Sequence, residues 1–254
     1  MLIDSHAHIN YENKINADKV VSEMQNDGLK AIINVGTSVE DSKKILNFAT
    51  AHDDVYAIVG IHPESASDEY IKDVCEIEKI AKSDKVVAIG EIGLDYYWKS
   101  DNKEIQKKLF IAQIELAYKL DLPVCIHSRN AAEDMVEILE KYADKLKRKG
   151  VMHCYSDGPE FIKKYIDLGF YISFAGNVTF KKYDRSFLND IPKNRILVET
   201  DCPFLSPEPL RGTINEPKNV KYTAKFLADY YNIKYEDFEK ITLDNTRKVY
   251  YKLK

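Results

Sequence analysis

Short apolar runs of the buried-strand type alternate along this chain with segments whose apolar residues recur at helical spacing. The runs are Leu2–His8, Ala31–Val35, Tyr56–Ile61, Val86–Ile92, Pro123–His127, Val151–Cys154, Phe170–Phe174 and Ile196–Thr200. Helices are predicted over Ala17–Asp27, Val39–Ala51 (capped by Ser38), Ile71–Ala81, Ile105–Leu120, Ala131–Leu146 and Glu160–Leu168. A weaker helical pattern covers Phe180–Leu188, and the chain from Val220 onward reads as helical with a break near Asn232. Near-continuous apolar strands, each followed by a helix, are the pattern of a parallel sheet covered on both faces. About eight such units in this length favour a closed (β/α)₈ barrel, a TIM barrel. An open doubly wound sheet is the alternative, but the first strand runs into histidines where a G-x-G-x-x-G turn would stand. No repeat, low-complexity stretch or linker divides residues 1–254, so one domain is expected.

The ends of the runs carry the chemistry. His6 and His8 stand at i, i+2 at the end of the first strand, where alternate side chains share a face. Alone, the pair reads equally well as two ordinary histidines near a terminus. Later strands end in the same manner: Glu91 on the fourth, His127 on the fifth, His153 on the sixth and Asp201 on the eighth. In a barrel these positions meet at one mouth, the face on which such folds build active sites. Four imidazoles and two carboxylates exceed the needs of one tetrahedral zinc and suit two divalent cations bridged by a carboxylate. Glu91 is the expected bridge, with His6, His8 and Asp201 on one cation and His127 and His153 on the other. Mg²⁺, Mn²⁺ and Zn²⁺ all stay open as the identity. Asp201 is also the candidate to orient a nucleophilic water or take its proton, so hydrolysis is the expected reaction class, with Asp201 and Glu91 as catalytic residues.

The surrounding loops bear on which bond is cut. His62, fixed before Pro63, and Arg129, two residues after His127, are candidates for contacts to phosphate oxygens. Arg211 is a third, in the Pro203–Pro217 loop, which holds four prolines and no helical pattern. For each, a core or solvated role competes. Tyr96, Tyr97 and Trp98 follow the fourth strand and could stack a base, although packing in the wall competes. His52, beside Asp53 and Asp54, reads as a surface residue.

A net charge of −4 with 31% charged residues argues against a protein that coats duplex nucleic acid by bulk charge, while permitting one that grips a strand end. No apolar run approaches the ~20 residues of a membrane span, and no signal stretch opens the chain, so a cytoplasmic protein with no membrane association is expected. No obligate protein partner is inferred. Cys75, Cys125, Cys154 and Cys202 show no C-x-x-C pairing and are read as reduced thiols.

The ordered set Asp4-Ser5-His6-Ala7-His8, Gly60-Ile61-His62-Pro63, Gly90-Glu91-Ile92-Gly93-Leu94-Asp95-Tyr96-Tyr97, Ile126-His127-Ser128-Arg129, His153-Cys154-Tyr155-Ser156 and Glu199-Thr200-Asp201-Cys202-Pro203-Phe204 resembles the TatD-type metal-dependent deoxyribonucleases. Arg211-Gly212, Asn215-Glu216-Pro217 and Asn245-Thr246-Arg247 extend the resemblance over essentially the whole chain. It implies a metallo-hydrolase (β/α)₈ barrel with His6, His8, Glu91, His127, His153 and Asp201 as ligands. It further implies cleavage of phosphodiester bonds, typically from the 3′ end of single-stranded DNA, with RNA left open as a substrate. Two other readings stand beside it: a hydrolase of lactones, amides or phosphotriesters, and a metal-bound interaction module without catalysis.

Overall fold

The apolar runs pair in chain order. In the computed structural model, which describes residues 1–254, β1 (Leu2–Ala7), β2 (Leu29–Val35), β3 (Val55–Val59), β4 (Val86–Asp95), β5 (Val124–Arg129), β6 (Gly150–Met152), β7 (Tyr171–Phe174) and β8 (Ile196–Val198) form one parallel sheet. Its helices are α1 (Ala17–Glu23), α2 (Val39–Ala51), α3 (Tyr70–Ile80), α4 (Lys103–Leu120), α5 (Ala132–Tyr142), α6 (Pro159–Asp167), α7 (Val220–Tyr230) and α8 (Tyr235–Val249). Ser38 caps α2 as expected, its hydroxyl accepting the Asp41 N–H at 3.1 Å. No helix is long and apolar enough to cross a membrane.

Strand alternation divides the core in two. Ile3, Ala31, Ile33, Tyr56, Ile58, Cys125, Val151 and Leu197 fill the inside of the barrel, joined by Val249 and Tyr250 from the chain end. The intervening residues, Leu2, Ile32, Ala57, Ile126 and Ile196 among them, face outward into the larger shell shared with the helices. The inward parity continues past Cys125, Val151 and Leu197 to His127, His153, Glu199 and Asp201, so the column that fills the barrel becomes, at its top, a column of ligand-type side chains.

No β-ladder joins β8 to β1; side chains and loop backbone pin that seam. Asp4 accepts from the Thr200 N–H at 2.9 Å and its hydroxyl at 2.5 Å, and the Ser5 hydroxyl donates to the Val198 carbonyl at 2.9 Å. Above them the Asp201 N–H reaches the His6 carbonyl and the His8 N–H reaches the Cys202 carbonyl. Asn215 and Asn245 brace β8 from either end: the Asn215 amide donates to the Thr200 carbonyl, the Asn245 amide to the Lys193 and Ile196 carbonyls.

The helix expected over Phe180–Leu188 is absent, and the β7–β8 crossover is built of turns and 3₁₀ segments at Gly176–Thr179, Leu188–Asp190 and Lys193–Arg195. Phe180, Tyr183 and Phe187 fall at i, i+3 and i+7, which mimics a helical face. Arg185 instead turns its guanidinium onto the Val178 and Phe180 carbonyls, and the Asp184 carboxylate takes the Ser186 N–H, so the local donors and acceptors satisfy one another outside a helix. Helices α1 and α5 also stop short of their predicted ends, at Glu23 and Tyr142.

Candidate metal centre

Each ligand-type side chain reaches the mouth from the end of its strand. A register shift between Asp4 and Ala7 breaks the alternation of β1 and brings the His6 and His8 Nε2 atoms to 3.2 Å from each other. His8 Nδ1 lies 2.9 Å from the Val35 carbonyl, to which it donates, so Nε2 is the nitrogen directed at the cluster. Asp201 adopts a left-handed backbone (φ 54°) just past β8, where its own N–H is tied to β1, and its Oδ1 lies 3.7 Å from His6 Nε2 and 3.5 Å from His8 Nε2. Glu91 stands between two groups. Its Oε2 faces His6 and His8 at 3.5 and 3.7 Å, while its Oε1 meets His127 Nδ1 at 2.8 Å and His153 Nε2 at 2.7 Å.

Behind this set stand two further carboxylates. Asp95 Oδ2 lies 3.0 Å from His127 Nε2, and its Oδ1 accepts the N–H groups of Tyr97 and Trp98 at 2.9 and 2.8 Å. Glu199 Oε1 accepts the Cys154 N–H at 2.8 Å and lies 3.3 Å from His153 Nδ1. Carboxylates in this position fix ring orientation and raise the basicity of an imidazole ligand. Gly93 (φ 143°) permits the close approach of β4 and β5, since a Cβ there would fall 1.9 Å from the His127 carbonyl oxygen.

The protonation pattern follows from these contacts. Burial pushes the Glu91 carboxyl up, but His153, His62 and His127 outweigh it and hold Glu91 well below the ordinary carboxylate range. Burial acts likewise on Asp201 and is overcome by the contact with His8 and the charges of His6 and His153, so this acid is lowered as well. For His8, burial is opposed by Asp201 and Glu91, and the imidazole is raised to about 9. His127 and His153 also rise against burial, through Asp95 and Glu91 in the first case and Glu91 and Glu199 in the second. His6 is lowered, by burial and by the charge of His153 stacked 4.0 Å away. The cluster is thus a set of ionised carboxylates that hold protons on neighbouring imidazoles. Divalent cations compete for the same lone pairs and displace those protons.

Three overlapping groups place their ligand atoms within 4.8 Å of one another: His6 with His8 and Glu91, His6 with His153 and Asp201, and His62 with Glu91 and His127. Nitrogen and oxygen donors of this mixture suit borderline and hard divalent cations, and the donor set fits the metals expected of it. The six ligand candidates from the sequence, His6, His8, Glu91, His127, His153 and Asp201, are all gathered here.

A cavity of about 600 Å³ opens over the cluster. His62 lines it, with Nδ1 accepting the Glu64 N–H at 3.2 Å and Nε2, the protonated nitrogen, 3.5 Å from Glu91. Burial and the neighbouring His127 push His62 down to about 3, which makes it a neutral donor. Arg129 lines the cavity with its guanidinium 4.0 Å above the Tyr97 ring and 5.4 Å from that of Trp98. The three aromatics after β4 part company: Tyr96 is half-buried and donates to Asp134 at 2.6 Å, as wall packing requires, whereas Tyr97 and Trp98 are exposed. Arg211 does not line this cavity. Its guanidinium stacks 4.0 Å over Phe180, and with Lys181 and Lys182 it lines a separate cavity between the segments that follow β7 and β8.

Sequence reasoning assigned no role to Asp95 or Glu199, although both lie within the motifs. A signal existed for each: Asp95 is four residues after Glu91, and Glu199 two before Asp201, both even spacings along an extended segment. Tyr11 and Phe204, which stand at the mouth, left no such trace.

Residues 3–251 match the TatD related DNase family. The chain is 39% identical over 254 residues to the uncharacterized metal-dependent hydrolase YabD of Bacillus subtilis (strain 168), covering 98% of this chain and 99% of that one. It is 35% identical over 258 residues to the uncharacterized metal-dependent hydrolase YcfH of Escherichia coli (strain K12), at 98% and 96% coverage. Among solved structures, YJJV, a TatD homolog from Escherichia coli K12, superposes with a TM-score of 0.90 at 26% identity over 98% of both chains.

Proposed function

The chain belongs to the TatD related DNase family and is a metal-dependent hydrolase, and from that premise we propose that it uses two divalent cations to hydrolyse phosphodiester bonds at the 3′ end of single-stranded DNA. The observation that carries the two-cation reading is the division of Glu91, one oxygen toward His6 and His8 and the other toward His127 and His153. His6, His8 and Asp201 would hold one cation and His127 and His153 the other. Bound there, the cations supply an acidified water and positive charge against the phosphate. The protein's own groups do the rest. Asp201, ionised and directed at the centre, accepts the proton of the attacking water. Arg129 and the His62 Nε2–H donate to the non-bridging phosphate oxygens from the cavity walls. Asp95 and Glu199 keep the His127 and His153 rings turned toward Glu91.

The 3′ polarity rests on the family resemblance. The preference for a strand end is supported by a mildly acidic chain with only local cationic groups at the mouth. The test is digestion of 5′-labelled single-stranded DNA by metal-stripped protein with Mg²⁺, Mn²⁺ or Zn²⁺ restored, beside Glu91→Gln. The expected result is a ladder shortening from the 3′ end, dependent on the ion and abolished in Glu91→Gln with the fold retained by circular dichroism. Near-normal turnover in the variant refutes the bridge. Hydrolysis of lactones or phosphotriesters with no cleavage of DNA under any ion refutes the substrate.

A further inference from the structure

Large exposed side chains on this molecule concentrate at one place. Of its ten exposed large hydrophobics, three (Tyr11, Trp98 and Phe204) line the metal cavity, and a fourth, Tyr97, packs against Trp98. Aromatic rings left in solvent at a cavity edge mark a surface that is covered when a ligand binds. They form two ledges. In the first, Tyr11 and Phe204 meet edge to face at 5.2 Å, with the Phe204 ring 6.4 Å from the His8 ring and the Lys14 ammonium 5.0 Å over Tyr11. In the second, Tyr97 and Trp98 meet at 4.8 Å with Arg129 stacked on them.

The topology sets the ledges apart. Tyr11 follows β1 and Phe204 follows β8, neighbours across the barrel seam, whereas Tyr97 and Trp98 follow β4. With eight strands in chain order, β4 lies across the mouth from β8. The cluster of Glu91 and the four imidazoles lies between. A phosphodiester centred on that cluster carries one nucleoside on each side, each ending in a flat base that can stack on an aromatic face whatever its sequence. A lactone or a small phosphotriester has nothing to lay on the farther ledge.

We propose that Tyr11 and Phe204 form a second base-stacking subsite, so that the substrate is held as a two-base unit spanning the metal centre, one base on the Tyr11–Phe204 ledge and the other on Trp98 backed by Tyr97 and Arg129. This rests on the phosphodiesterase reading. The aromatic rings of neither ledge belong to the catalytic set; each ledge fixes where the scissile phosphate comes to lie.

The chain's single tryptophan makes the test direct, since Trp98 fluorescence reports a base arriving on its ledge. The purified protein with Mg²⁺ is titrated with thymidine 5′-monophosphate and with a dithymidine analogue whose bridging leaving oxygen is a methylene, which cannot be hydrolysed. The wild type is expected to bind the two-base analogue about tenfold more tightly than the mononucleotide. Tyr11→Ala with Phe204→Ala should lose that gain and leave the mononucleotide affinity unchanged. Tyr11→Ala alone, in a turn with no buried residue, serves where the double variant has a lowered thermal midpoint. No gain from the second base in the wild type, or the same gain in the variants, overturns the proposal. The outcomes separate from those of the digestion: a two-base gain without DNA cleavage keeps the subsite and removes the nuclease, and cleavage without the gain does the reverse.

Discussion

The two sides of the barrel mouth hold similar ligands by different means. On one side, β4 and β5 pair through to their ends, with Gly93, Leu94 and Asp95 in register with His127, Ser128 and Arg129. Backbone hydrogen bonds therefore set the height of His127, and Asp95 sets its ring. On the other side no ladder joins β8 to β1, and Asp201 reaches His6 and His8 across a seam pinned by Asp4, Ser5, Thr200 and Asn215. A ladder tolerates the loss of one side chain, because its bonds belong to the backbone. A seam that relies on side chains beside two backbone bonds tolerates it less. The same kind of damage should thus cost fold on one side and chemistry on the other.

Asp4→Ala is the larger break. It removes a fully buried carboxyl and leaves the Thr200 N–H and hydroxyl without their partner, a cost of about 2–3 kcal/mol in unfolding free energy. Burial, against the bonds from Thr200, lifts this carboxyl to about 8, so Asp4→Asn preserves a neutral hydrogen-bonding group and should recover most of the loss. Urea denaturation of both variants checks this. Equal destabilisation by Ala and Asn would mean that the seam depends on the charge. Asp95→Asn is the counterpart on the laddered side. Metal affinity or turnover should fall by about 10–100-fold with the thermal midpoint little changed, because the change reaches His127 through one hydrogen bond while β4 and β5 stay paired. Metal content by mass spectrometry and kcat, read together, decide it. A midpoint that falls as far as in Asp4→Ala would erase the distinction between the two sides.

The same contrast explains what could be read from the sequence. Strand-end ligands were legible because a buried parallel strand is an uninterrupted apolar run, and His127, His153 and Asp201 each stand where such a run stops. The chain order of ligands then implied the mouth once the barrel was assigned. What faces a ligand from behind was not legible: Asp95 acts on a ring 32 residues away, and the residues between contain a complete helix. The β7–β8 crossover misled because Phe180, Tyr183 and Phe187 have helical spacing, while the guanidinium of Arg185 decides their backbone. Arg211 misled for a related reason. The length of the Pro203–Pro217 loop suggested function, but only the path of the loop shows that Arg211 turns toward Phe180 and away from the cluster.

The smallest effect expected sharpens the comparison without breaking either side. At the end of β5, Ser128 donates to Asp157 Oδ1 at 2.8 Å and Tyr165 donates to Oδ2 at 2.6 Å, tying the strand to the loop before α6. Burial raises the Asp157 carboxyl, with the bonds from Tyr165 and Ser128 opposing it less strongly. The folded protein therefore binds the Asp157 proton more tightly than the unfolded chain does. By linkage this contribution to stability is fully present below the unfolded-state value and is lost as pH rises through the raised folded-state value. Asp157→Asn cannot titrate, so the difference in unfolding free energy between variant and wild type should change in the variant's favour as pH rises from 4 to 7 (about the span above an ordinary Asp), with turnover barely altered. A pH-independent difference would show that Asp157 ionises without penalty. In that case Ser128 and Tyr165 would hold the ionised carboxylate as firmly as the neutral one, and the tie to β5 would be indifferent to pH.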